Sequence, residues 1–159
     1  MAYRLYSFVN HRYMPPIQWG IQTAHCVSTM SVVTKKEHLA MYEEWAETEP
    51  TIIVCQGGNV AMLTDLFARL EPLAVALNIP CVKFHEDEQS LGGVITSVAV
   101  LVPDTLFDVD VVMETDTTRT PTKFGQRVQH FVTKDGLHTY KPGHIQHDFL
   151  SIVKNARLA

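Results

Sequence analysis

The sequence predicts an α/β protein, a three-layer α/β/α sandwich followed by a C-terminal β-hairpin and helix. Three observations carry this. Short apolar runs of strand length alternate with helix-period stripes up to about residue 102, in the order β-α-α-β-α-β-β. A chain of 159 residues with 46% hydrophobic side chains is large enough for one true core without disulfides or metals. Lys134-Asp135-Gly136 separates two short strand-like runs, and Asp-Gly tolerates the positive φ of a tight hairpin turn. Helices between strands predict crossover connections and therefore a largely parallel sheet covered on both faces.

The elements follow in order. Tyr3 to Val9 alternates aromatic or apolar with polar residues and reads as the first strand. Pro15-Pro16 starts a helix predicted over Ile17 to Val33, because a missing amide proton is harmless in a first turn. No Asp, Glu, Lys or Arg occurs from Tyr13 to Thr34, so this helix is expected to be enclosed on more than one side or to line a site. Thr34-Lys35-Lys36-Glu37 has the form of a capping box for a second helix, with Leu39, Tyr42 and Trp45 on its apolar face. Thr51 to Gln56 reads as a buried parallel strand, and Gly57-Gly58-Asn59 turns the chain into a third helix carrying Leu63, Leu66, Leu70, Leu73 and Leu77 as one stripe. Cys81 to His85 is the third strand, Glu86 to Gly93 a polar loop, and Val94 to Val102 the fourth strand. Asp104 to Thr120 reads as a short helix followed by a loop. Gln129 to Thr133 and Leu137 to Tyr140 form the hairpin, and a final helix follows Pro142-Gly143 with Ile145, Phe149 and Ile152/Val153 on one face. The expected organisation is a domain over residues 1–110 and an extension over 111–159 packed on or beside it.

Composition narrows the function. Apolar content is too high and the formal charge of -4 too small for disorder, and no run approaches the 18 apolar residues of a membrane span. The N-terminus lacks an apolar stretch of signal-peptide length, and Cys26, Cys55 and Cys81 are odd in number with no Cys-x-x-Cys pair. A cytoplasmic protein with reduced thiols is expected. Residues 51–120 hold three basic against ten acidic residues, whereas residues 121–159 hold six basic against two. An RNA partner would therefore be held by the basic tail, since phosphates need cations to displace their counterions.

Four constellations could carry chemistry. Gln18, Gln22 and His25 fall on one face of the first helix at i, i+4 and i+7, as neutral hydrogen-bonding groups that need little desolvation. Hydrogen bonds to neighbouring loops are the alternative use of the same residues. His85-Glu86-Asp87-Glu88-Gln89-Ser90 lies at the carboxyl end of a strand, where ligands bind in such sheets; it suits a general base or a hard cation, or is a solvated acidic loop. Gly57-Gly58-Asn59 at a helix N-terminus either cradles a phosphate or makes a tight turn. His144, His147 and Asp148 share a helix but lack a third ligand at fixed spacing and read as surface residues.

Met14 to His25 resembles the first-helix motif of the type 2 peptidyl-tRNA hydrolase family, which reads Met, three residues, Lys, three residues, Gln, two residues, His. Met14, Gln22, Ala24 and His25 match it, and the lysine falls on Gln18. Ile79 to Ser90 is similar to the segment entering that family's Asp-Ala-Gly-x-Thr motif. The aspartate falls on Glu86, the threonine on Ser90, and Asp87-Glu88 replace the Ala-Gly pair. Thr96 to Pro103 resembles the closing strand, so a second threonine corresponds to Ser97 or its neighbour Thr96.

The resemblance spans roughly residues 3–110 by element order. It implies a mixed four-stranded sheet with helices on both sides, and hydrolysis of the ester joining a peptide to tRNA, with no cofactor and no metal. Glu86 would activate water, Gln22 and His25 would hold the active-site network, and Ser90 and Ser97 would orient water or bind substrate. Gln18, Thr96 and Asp87 would lie on the substrate side. Gln18 in place of lysine exchanges a charge-assisted hydrogen bond for a neutral one, a difference of about 1.5–3 kcal/mol. Asp87 and Glu88 would repel an approaching tRNA end.

The sequence thus supports an esterase acting on an acylated RNA or a related ester. The alternative is a catalytically degenerate protein- or nucleotide-binding module on the same fold. A third reading is metal-assisted hydrolysis through His85 and the carboxylates. A protein partner is compatible with the uncharged first helix, and the resemblance admits a homodimer.

Overall fold

Ile95–Pro103 holds no side chain more polar than a hydroxyl, and this segment becomes the fully buried strand near the middle of the sheet. The structure is a computed structural model in which residues 1–10, 15–115 and 127–159 are described, apart from the side chains of Ser90, Leu91 and Thr115. The first strand, β1 (Tyr3–Asn10), is followed by helices α1 (Pro16–Met30) and α2 (Lys36–Glu47). Then come β2 (Ile52–Gly58), α3 (Val60–Ala76), β3 (Cys81–His85), the one-turn α4 (Glu88–Leu91) and β4, which is Ile95–Pro103.

The four strands lie in the order β2-β1-β4-β3. β1 runs parallel to β2 and antiparallel to β4, with Phe8 opposite both Cys55 and Val98; β3 is also antiparallel to β4, with Val82 opposite Ala99. The sheet is therefore mixed, and the largely parallel arrangement read from element order is corrected. A parallel crossover takes a dozen or more residues, and the connection over 86–94 is shorter than that, so β3 and β4 form a hairpin.

Alternate residues along the strands enter two separate apolar clusters with the helices. Tyr6, Phe8, Val98, Val100 and Val102 pack with Leu63, Leu70 and Ala74 of α3. Tyr3, Leu5, Ala99 and Leu101 pack on the other face with Cys26 and Met30 of α1 and Trp45 of α2. Leu63 and Leu70 of the predicted leucine stripe are fully buried, with Leu66, Leu73 and Leu77 packed around them.

Local chemistry sets the helix ends. Pro16 occupies the first turn of α1 as predicted, but the helix stops at Met30 rather than Val33. Its outward face is open, with Ile17 74% and Ile21 43% exposed, so the helix is not enclosed on several sides. The capping box at Thr34 does not form. The residue at the cap is Lys35, one position too late for the Thr34 hydroxyl, and Glu37 faces the amino-terminal end of the dipole instead. Asn59 caps α3 through Oδ1, which accepts from the Met62 amide at 2.9 Å, and α3 runs through Pro72 to Ala76.

After β4 the chain forms the one-turn α5 (Asp104–Phe107), then β5 (Val109–Thr115), β6 (Arg127–Thr133), β7 (Thr139–Tyr140) and α6 (Ile145–Lys154). The strands make a second, antiparallel sheet in the order β5-β6-β7. The expected hairpin is its last two strands, and Gly136 turns it with φ +72°. The loop expected after α5 is instead β5; residues 116–120 of that prediction lie outside the described residues. Val111, Val112 and Met113 are all exposed, which removes the period-two pattern that would have revealed the strand. The boundary expected at residue 110 falls inside β5. Phe131, Phe149, Leu150 and Val153 join the cluster around Tyr6, Phe8 and Val98, so both sheets share apolar core. The last residues pair with the open edge of β2: Gln56 N donates to the Arg157 carbonyl at 2.8 Å and Ala159 N to the Val54 carbonyl at 3.0 Å. Among the described residues, no helix is long and apolar enough to cross a membrane.

Burial raises all three thiols, Cys26 and Cys55 to about 11 and Cys81 to about 12. Below the ordinary value of 9.0 the thiols are protonated in both folded and unfolded chains. Above it the unfolded chain releases protons that the folded chain keeps, so stability falls as pH rises. Urea unfolding midpoints are expected to drop between pH 9 and 11, with a smaller drop in Cys81→Ala.

Candidate functional site

The carboxyl ends of β1 and β3 are where both flanking ladders lose their register. Val9 faces Gln56 but Asn10 faces Gly58, leaving Gly57 unopposed; Phe84 faces Ser97 but His85 faces Ile95, leaving Thr96 as the extra residue. Bulges redirect side chains. Thr96 and Ser97 would otherwise point to opposite faces, and here both hydroxyls reach Gln22. Thr96 Oγ1 donates to Gln22 Oε1 at 2.7 Å, and Ser97 Oγ donates to the Gln22 main-chain carbonyl at 2.9 Å.

That pairing orients the Gln22 amide. Its oxygen is engaged by Thr96, so its NH2 group faces the loop after β3 and donates to Glu86 Oε1 at 2.8 Å. Gln22 is 3% exposed and Thr96 fully buried, while Glu86 is half-buried. One Glu86 oxygen is thus fixed against the protein. Among the described residues the other, Oε2, has no protein partner. The loop is shaped by two glycines in the left-handed region, Gly92 at φ +67° and Gly93 at φ +71°. Gly93 N donates to the Asp87 carbonyl at 3.2 Å, and Glu86 N donates to the Val94 carbonyl at 3.0 Å.

A second polar layer lies beneath. Ser97 gives its only proton to Gln22, so the Cys26 thiol 3.1 Å away is the donor in the Cys26–Ser97 contact. The raised Cys26 pKa keeps that proton in place at neutral pH. Ser7 and Thr23 share a 2.8 Å hydrogen bond between buried hydroxyls. His25 stacks on Phe84, ring centroids 4.2 Å apart and planes 8° apart.

The structure therefore brings Gln22, Glu86, Thr96 and Ser97 together, with His25 beside them. Gln18 lies one turn earlier on α1, half-buried, and its side chain makes no hydrogen bond among the described residues. Asp87 is exposed beside Glu86. Ser90 falls in α4, but its side chain lies outside the described atoms, as does the whole of Met14. Ser7, Thr23, Cys26 and Phe84 were not singled out as site residues. A hydroxyl at the inward position Ser7, and two more groups on the charge-free helix, were the available signal. Nothing local ties Phe84 to His25.

The other constellations resolve by packing. A Cβ on Gly57 would come 2.5 Å from Leu63 Cδ2 and 2.8 Å from the Val9 carbonyl, so this glycine serves close approach of β2 to α3. His85 Nδ1 lies 3.0 Å from the Gly93 carbonyl, His144 Nδ1 accepts from the Lys141 amide, and His147 Nε2 meets the Gln129 carbonyl. Among the described residues, no three His, Cys, Asp or Glu converge as metal ligands. Of the tail's cations, Lys134 pairs with Asp110 at 2.6 Å, and half-buried Lys154, its pKa lowered by burial, donates to the Phe107 carbonyl. Arg127, Lys141 and Arg157 remain exposed, and Lys123 lies outside the described residues.

A cleft of about 860 Å3 opens on the opposite face, between α3, α6 and the end of β2, floored by Phe8, Leu66 and Ile152. Gly57, Gly58 and Asp148 line it, but none of Gln18, Gln22, His25, Glu86, Asp87, Thr96 and Ser97 does. Several of its polar groups are already engaged, Arg69 with Asp65, Ser151 with the His147 carbonyl and Asn155 with Gln129. Volume favours the cleft, whereas a carboxylate fixed through one oxygen, with the other unbonded among the described residues, favours the Gln22–Glu86 site.

Thr96→Val keeps the shape of residue 96 but leaves the buried Gln22 oxygen without its donor. It is expected to destabilise the protein by about 1–3 kcal/mol, read from denaturant unfolding. Unchanged stability would show that Thr96 does not orient the amide.

No protein-family model and no curated protein matches the chain.

Proposed function

We propose that the chain is an esterase of the peptidyl-tRNA hydrolase kind, built on a three-layer α/β/α sandwich and acting in the cytoplasm on an acylated RNA or a related ester. The observation that carries this is the 2.8 Å hydrogen bond from Gln22 Nε2 to Glu86 Oε1, which joins the two segments that carry the family resemblance. Glu86 Oε2 takes a proton from water as the water oxygen attacks the ester carbonyl. The tetrahedral intermediate then collapses, the carbonyl–oxygen bond to the ribose breaks, and Glu86 returns the proton to that leaving oxygen. The products are a carboxylic acid and the free RNA terminus. Gln22 holds the carboxylate in line, and neutral Gln18 faces the substrate without the charge that a lysine would supply.

Release of N-acetyl amino acid from its tRNA tests the reading. Turnover above the spontaneous rate, lost in Glu86→Ala and indifferent to a chelator, is expected. Chelator-sensitive turnover would favour the metal-assisted reading through His85. The second reading, a degenerate protein- or nucleotide-binding module, is favoured by the exposed apolar side chains Ile17 and Ile21 on α1. Absence of turnover, with the acylated tRNA or a protein partner still bound, would select it.

A further inference from the structure

Among the described residues, the His25 ring stands outside the hydrogen-bond network of the site. Among the described residues neither ring nitrogen has a protein partner, although Gln22 on the same helix is engaged on both sides of its amide. What holds the ring is the stack on Phe84, at 4.2 Å and 8°. Phe84 comes two residues before Glu86 on β3, and His25 comes three after Gln22 on α1, so the stack stands directly beside the hydrogen-bonded pair. Both rings are half-buried. Phe84 covers one imidazole face, and His25 as a whole is only half-buried.

A flat ring held without polar anchors suits another flat ring. The electrostatics of the loop select which part of a nucleotide fits. Glu86, Asp87 and Glu88 repel a phosphate but leave an uncharged base unopposed. We propose that the face of His25 turned away from Phe84 is the platform on which the nucleobase of the acylated nucleotide stacks, which sets the ester beside Glu86. This inference rests on the hydrolase reading and names the group that positions its substrate.

Two measurements test it. Titration with adenosine, which carries the base without a phosphate, is expected to move the His25 ring protons upfield in a saturable way. His25→Phe should retain the matching shift of the adenine protons and His25→Ala should lose it; no upfield shift in the wild type would overturn the platform. Because His25→Ala removes a packed ring, hydrolysis is also compared on acylated RNA with and without its terminal base. Removing the base should raise KM about 10- to 100-fold in the wild type, with little change in kcat, and have little effect in His25→Ala. Equal effects in both proteins would overturn the platform. Turnover that ignores the terminal base would remove the platform and leave the hydrolase standing, whereas base stacking without turnover would keep the platform and remove the hydrolase.

Discussion

Glu86→Gln should lower kcat for acyl-RNA hydrolysis by about 100- to 10,000-fold, the range that a positioned general base contributes. Glutamine has the same shape and can still accept from Gln22 through its amide oxygen, so the fold and the local packing stay in place. What disappears is the basic oxygen, since an amide does not take a proton from water at neutral pH. Gln22→Ala should be milder, about 10- to 100-fold. It removes a hydrogen bond to a charged group, worth about 1.5–3 kcal/mol, and frees the carboxylate to turn toward solvent. Initial rates read both effects, with unfolding curves of the variants beside them. A Glu86→Gln protein as active as the wild type would remove the carboxylate from the reaction.

Phe149→Ala should destabilise the whole chain by about 3–5 kcal/mol, a large share of the 5–15 kcal/mol by which domains are ordinarily stable. Phe149 is fully buried in the cluster that also holds Phe131 of β6, Val98 of β4 and Leu70 of α3. A cavity there opens in the apolar cluster that the two sheets share. One cooperative transition at lower denaturant is expected from fluorescence and circular dichroism alike. A separate early transition, with the four-stranded sheet unfolding where it does in the wild type, would show that residues 111–159 are held independently.

The parts that were legible are those fixed by local pattern. The β3 boundaries, the leucine face of α3 and the Asp135-Gly136 turn follow from periodicity and turn chemistry within one segment. The i, i+4 spacing put Gln18 and Gln22 on one face of α1, but only tertiary contact decided that Gln22 alone would meet Glu86. The ambiguity between Thr96 and Ser97 has a physical origin, because a bulge breaks the alternation that would have separated them, and both bond to Gln22. β5 was hidden because its exposed valines erase the inside-outside pattern. Element order alone does not distinguish a crossover from the hairpin that joins β3 to β4, so it suggests a largely parallel sheet, whereas the mixed four-stranded sheet that the resemblance implies is the one present. The His25–Phe84 stack joins residues far apart in sequence, and no single segment could announce it.

The most direct measurement is the rate of acyl release by the wild type, Gln22→Ala, Glu86→Ala and the double variant. If Gln22 acts only by holding the carboxylate, it has nothing left to hold once Glu86 is gone, and the double variant should be no slower than Glu86→Ala. Losses that multiply in the double variant would mean that the two side chains act separately, and would contradict a single water-activating pair.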